Sequence, residues 1–141
     1  MLSLLSIGMK VLDNGLKLLV REDHTAPVVT CWVAYRVGSR NERPGITGIS
    51  HFVEHMLFRG VGRFKDEIDR LVSSRGGHLN AFTSEDATIY YETLPSNSLR
   101  LALEVEAERM SNAVFNEEVV EKERGVILSE REMAENYPQY Q

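Results

Sequence analysis

Cysteine is nearly absent: Cys31 stands alone, so no internal disulfide can staple the chain, and a lone thiol fits a reducing compartment. There is no basic block either. Sixteen Lys and Arg face 21 Asp and Glu, a net charge of −5 that argues against nucleic acid or an anionic membrane as partner. No apolar run approaches membrane-spanning length. The stretch Met1–Gly8 is apolar, but it lacks the basic start, apolar centre and small-residue cleavage site of a secretory signal, and it reads as a first strand. Repeats, low-complexity tracts and linkers are missing as well. The expectation is a soluble, cytoplasmic protein whose 141 residues form one unit, large enough to bury a core.

What is present alternates between strand and helix patterns. Asp13-Asn14-Gly15, between Val11-Leu12 and Leu16–Val20, predicts a β-hairpin, because Asn-Gly tolerates the positive φ of a tight reversal. Val28–Val37 is β-branched and aromatic and predicts a third strand; Gly38–Gly48 reads as a loop. A helix is expected from Gly48 or Ile49 to Arg59, stopping at Gly60, and a shorter one from Lys65 to Ser74. Leu79–Thr83 and Ala87–Leu94 predict two strands paired across Ser84-Glu85-Asp86. Ser96 is a reasonable N-cap for a helix running to Ser111, and a last helix runs from about Asn116 to Glu135. The fold class that follows is α+β: one mixed, largely antiparallel sheet with helices packed on one face.

The chemistry concentrates in His51-Phe52-Val53-Glu54-His55. On a helix, His51, Glu54, His55 and Phe58 cluster on one side, with Ile49, Phe52, Val53, Met56 and Leu57 nearly opposite. The apolar side can then pack on the sheet while the other presents two imidazoles and a carboxylate to a cleft. Such a stripe suits a divalent metal held by two His beside a general-base Glu, the order of the inverted zinc-protease helix. A catalytic zinc needs a third protein ligand and an open position. The last helix supplies candidates: Glu123 and Glu130 fall two turns apart on the stripe of Val119, Val126, Ile127, Met133 and Ala134, where carboxylates are costly to bury without partners. We assign Glu130 as the ligand and Glu123 as the outer partner that orients a ligating imidazole; spacing leaves Glu132 open as an alternative. Glu117, Glu118, Glu121 and Glu135 read as solvated charges, and His24 and His78 as ordinary loop residues.

Gly48–Phe58 resembles the signature of the pitrilysin-type zinc peptidases, which include insulysin and the mitochondrial processing peptidase. The similarity continues in Gly76–Ser84 and in Glu123–Glu130. The resemblance implies zinc held by His51, His55 and Glu130, Glu54 as catalytic base, and Glu123 as helper. It also implies that Asn80, Ala81 and Phe82 bind the substrate backbone as an added strand. The substrate would be a peptide or an unfolded protein segment. Members of this family are longer, and a second homologous domain closes over their zinc. Residues 1–141 therefore read as the N-terminal zinc-binding portion of a two-domain unit, inactive alone and prone to pair with a second copy or with a homologous domain or subunit. A non-catalytic peptide-binding subunit is the alternative, although such partners carry a degraded metal motif and this one is intact. A purely structural zinc is disfavoured, since those sites complete four protein ligands, often with Cys.

Overall fold

A computed structural model describes residues 7–59, 61–64 and 67–138. Residues 1–6 of the expected first strand, the expected stop at Gly60 and the expected helix start at Lys65 lie outside them. Among the described residues the order is β1 Ile7–Val11, β2 Lys17–Arg21, β3 Val28–Tyr35, α1 Ile49–Arg59, α2 Ile68–Ser74, β4 His78–Thr83, β5 Thr88–Pro95, α3 Leu99–Ser111 and α4 Glu117–Glu135.

The hairpin forms where Asn14-Gly15 predicts it, with β1 and β2 antiparallel from Ile7↔Arg21 to Val11↔Lys17. Its loop is longer than a tight reversal. Leu12 N–H reaches the Leu16 carbonyl at 2.9 Å, Asn14 Oδ1 accepts from Leu16 N–H, and Gly15 takes φ +85°. The other three strands form a separate antiparallel sheet in the order β3-β5-β4. The single mixed sheet expected from the sequence is thus two antiparallel sheets, because every described strand pairing is a hairpin or a return across one.

Helices lie on one face of the larger sheet, as predicted. Its central strand alternates strictly: Thr88, Tyr90, Glu92 and Leu94 are buried, and the residues between them are half-buried. Leu94 packs with Val61, Ile68, Val72, Ala102 and Val105 to form the core under α2 and α3. Each of these Val, Leu and Ile side chains contributes roughly 1.5–3 kcal/mol on burial, and Ala102 less. On the opposite face Trp32 stacks on Tyr91 at 4.7 Å and stays exposed. Two helix starts differ in quality. Asn116 caps α4, its Oδ1 accepting from Glu118 N–H at 2.9 Å. Ser96, the expected cap of α3, instead opens a 3₁₀ turn, Ser96–Ser98, and α3 begins at Leu99 with no side-chain cap.

One charged cluster is buried between sheet and helices. Arg109 of α3 donates to Glu92 Oε1 at 2.6 Å and to Glu106, and its guanidinium lies over the rings of Phe58 and Tyr90 at 5.1 and 4.8 Å. It therefore ties α3 to β5 and to α1. One cation cannot balance two carboxylates. Burial, and then the hydrogen bond and charge of Glu106, push the Glu92 carboxyl up to about 8 against the opposing pull of Arg109. The folded protein accordingly keeps a proton on this pair that an unfolded carboxyl, at 4.5, has released, so stability falls as pH rises between those values. Glu92→Gln should remove that slope. Melting temperatures of wild type and variant are expected to diverge from about pH 5 to 8, with the wild type losing more; parallel curves would contradict the shared proton.

Candidate metal centre

The first helix is set in place by the loop before it. A Cβ on Gly38 would lie 2.2 Å from the Ser84 carbonyl oxygen, so only glycine allows this approach. The N–H groups of Ser39 and Arg40 bond to the carbonyls of Ser84 and Glu85 at 3.1 and 3.0 Å, tying the loop to the β4–β5 turn. Further on, Glu42 accepts from Gly48 N–H at 2.7 Å and Ser50 N–H at 2.9 Å at the start of α1. Those backbone bonds hold its carboxyl below the usual range. Sequence spacing missed Glu42 because it stands six and eight residues from the amides it serves, outside any local capping pattern.

The faces of α1 are used differently from the expected division. Ser50, Glu54, Met56 and Leu57 are buried, while the apolar Ile49 is 43% exposed. Glu54 meets β4 through the Thr83 hydroxyl, and the Phe58 ring lies 6.0 Å from that of Tyr90 on β5. Of the stripe carrying His51, Glu54, His55 and Phe58, Glu54 and Phe58 therefore turn towards the sheet and the two histidines towards α4, while Met56 and Leu57 of the apolar side are buried too. The physical reason is that Glu54 and Phe58 have partners there: a hydroxyl for the one and a ring and guanidinium for the other.

From the other side α4 brings its acids to the histidines. His55 Nε2 lies 3.1 Å from His51 Nε2, and Glu130 Oε2 lies 3.5 Å from His55 Nε2 and 3.7 Å from His51 Nε2. Glu123, with a side chain 3% exposed, places Oε1 2.9 Å from His55 Nδ1 and Oε2 3.2 Å from Arg59 Nε. A Nδ1–H donated to Glu123 leaves the lone pair of His55 on Nε2, facing His51 and Glu130. Of the stripe assigned to α4, Val119, Ile127 and Ala134 are half-buried beside these acids, whereas Val126 and Met133 are exposed. Val120 is half-buried as well, so the stripe holds Val119, Val120, Glu123, Ile127, Glu130 and Ala134 and lacks only Val126 and Met133 of the expected set. Glu132 is exposed, as are Glu117, Glu118, Glu121 and Glu135. His24 lies in a loop, and His78 is the exposed first residue of β4 instead of a loop residue.

Three nitrogen and oxygen atoms 3.1–3.7 Å apart suit one small cation. A tetrahedral ion with bonds of about 2.0–2.1 Å separates its ligand atoms by roughly 3.4 Å. The side chains of His51 and Glu130 are each 41% exposed, so this end is open to a fourth, exchangeable ligand. It adjoins a groove of about 920 Å³ between α1 and α4, lined by Phe52, Val120, Ile127 and Leu128 among others. Asn80, Ala81 and Phe82 are on β4, whose one described neighbour is β5; Asn80 and Phe82 are exposed, and Asn80 Oδ1 accepts from Ala81 N–H.

The sequence profile described as Insulinase (Peptidase family M16) matches residues 17–141. The chain belongs to the insulinase family. It is 36% identical to the uncharacterized zinc protease YmxG of Bacillus subtilis, covering 89% of this chain and 31% of that protein. It is 37% identical to the beta subunit of the mitochondrial-processing peptidase of Bos taurus, covering 88% and 25%. Among solved structures, a protease from Helicobacter pylori superposes with a TM-score of 0.86 at 35% identity, covering 90% of this chain and 31% of that one. The chain thus spans about a third or less of the length of these insulinase-family relatives.

Arg59 and Thr83 had no role in the sequence reading. Arg59 follows His55 by one helical turn on the stripe of His51 and His55, a spacing that could have pointed to it. Thr83 is brought in by tertiary structure alone. If the cluster holds zinc as the geometry suggests, Glu123→Gln should weaken zinc about 10–100-fold in competition with a chromophoric chelator, and His51→Ala should weaken it more. Unchanged affinity in Glu123→Gln would contradict its orienting role.

Proposed function

We propose that this chain carries the metal site of a zinc-dependent endopeptidase acting on peptides or extended protein segments. The observation that carries the reading is the convergence of His51, His55 and Glu130 at ligand spacing, with the buried Glu54 one residue before His55. The insulinase-family membership and the zinc-protease names of relatives support it. His51, His55 and Glu130 would hold the ion. When bound, zinc supplies a Lewis acid that acidifies water and polarises a carbonyl oxygen. Glu54 takes the proton of the attacking water and later returns it to the leaving amine. Glu123 keeps His55 in the ligating tautomer. Asn80, Ala81 and Phe82 lie on a strand whose outer edge has no partner strand among the described residues, against which an extended substrate can pair by its backbone.

The exposed ligands and the exposed faces of both sheets support a second part to the reading: the working site includes a covering element. Residues 1–141 would be the N-terminal, zinc-binding portion of the unit, joined by a homologous domain or subunit, or by a second copy. One relative is named as a subunit, and one solved structure is titled the first half of the periplasmic protease PqqL of Escherichia coli. Those mitochondrial and periplasmic names lend no support to the cytoplasmic placement expected from the single cysteine. The complete donor set favours catalysis over a non-catalytic peptide-binding subunit.

An internally quenched, unfolded peptide tests both parts. The zinc-loaded chain alone is expected to cleave it little or not at all, and its assembly with a homologous covering domain to cleave it in a zinc-dependent way. In that assembly Glu54→Gln should lower turnover by about 10²-fold or more with zinc retained. Rapid cleavage by the chain alone would refute the need for a cover, and a Glu54→Gln variant that still turns over would refute the base.

A further inference from the structure

Glu54 is 7% exposed, and among the described residues one group hydrogen-bonds its carboxylate, the hydroxyl of Thr83 at the end of β4. That hydroxyl has a second neighbour. Thr88, opposite it on β5 and 4% exposed, lies at an Oγ1–Oγ1 distance of 3.4 Å. Thr88 donates its own hydrogen to the Val37 carbonyl at 3.0 Å, so towards Thr83 it can only accept. Thr83 therefore has one hydrogen and two acceptors. The charged acceptor makes the stronger bond, and the hydrogen goes to Glu54 Oε2.

We propose that Thr83, placed by its strand pairing with Thr88, is a positioning residue for Glu54: it fixes Oε2 and leaves the other carboxylate oxygen to take the water's proton. The inference rests on the reading of Glu54 as the base. The arrangement also serves the acid that results. Once the other oxygen carries the proton, Oε2 is the carbonyl oxygen of the acid and still accepts from Thr83, so the buried carboxyl keeps a partner on both sides of the transfer. An alanine or valine at position 83 would offer no partner in either state. The strand pairing Thr83↔Thr88 sets the place of this hydroxyl, which links α1 to the sheet by a side chain as well as by apolar packing.

Two measurements test it. In a ¹³C carboxyl spectrum of the zinc-loaded chain, with the Glu54 signal assigned by its loss in Glu54→Gln, the signal should move in Thr83→Val and stay in place in Thr83→Ser. In the peptide assay of the covered assembly, Thr83→Val should lower kcat about tenfold to a hundredfold with KM and zinc content unchanged, and Thr83→Ser should restore most of it. A Glu54 signal that stays put in Thr83→Val, or a Thr83→Ser variant as slow as Thr83→Val, overturns the proposal. If the signal moves only in Thr83→Val but no variant or wild type cleaves peptide, the hydrogen bond stands and the peptidase reading falls.

Discussion

Glu123 is nearly buried on α4, and both of its oxygens engage α1: one the ring of His55, the other the guanidinium of Arg59. A carboxylate so placed is costly unless donors meet it, and these two donors sit one turn apart on the facing helix. Their pairing fixes how far α4 can slide along α1. Since Glu130 follows Glu123 by two turns, the same constraint sets Glu130 beside His51 and His55. It also chooses the His55 tautomer. One contact thus defines the helix register, the free lone pair of His55 and the position of Glu130.

The other side of α1 is held with equal care. Glu42 bonds to two amides at its start, Thr83 engages Glu54 in its middle, and Phe58 meets Tyr90 and Arg109 near its end. These contacts come from three places: the preceding loop, the end of β4, and the β5–α3 cluster. The cluster carries an excess carboxylate, and burial beside Glu106 holds the Glu92 carboxyl above the usual range. Apolar packing by Met56 and Leu57 does not by itself serve α1, since the stripe facing the sheet and α4 carries Glu54, His51 and His55. Each inward polar group has instead been given a partner.

Much of this was legible in the chain itself. Regular elements were, because Asn14-Gly15, the β-branched run from Val28 and the spacing around His51 each express a local preference. So were His51, His55, Glu123 and Glu130, because acids and imidazoles recurring at helical spacing on buried stripes demand partners. The tertiary partners were not. Glu42 caps a helix from a distance, Thr83 reaches Glu54 through strand pairing, and Arg109 finds Glu92 across the core; none leaves a periodic trace. On α1 the expected apolar side is buried at Met56 and Leu57, but periodicity did not say that the stripe with Glu54 and Phe58 would be packed as well. On α4 the adjacent apolar pairs Val119-Val120 and Val126-Ile127 left only the edges of the stripe open: Val120 joins it, and Val126 and Met133 leave it.

Fold and family membership are therefore secure grounds for asking about metal, and the ligand set is the claim on which the rest turns. X-ray absorption at the zinc edge of the zinc-loaded chain tests it most directly. The account predicts four nitrogen or oxygen neighbours at about 2.0–2.1 Å, two with the outer-shell signature of imidazole, and no sulfur. Loss of one imidazole in His51→Ala would complete the assignment. A zinc–sulfur distance of about 2.3 Å, which would bring in Cys31, or a shell without imidazole, would contradict it.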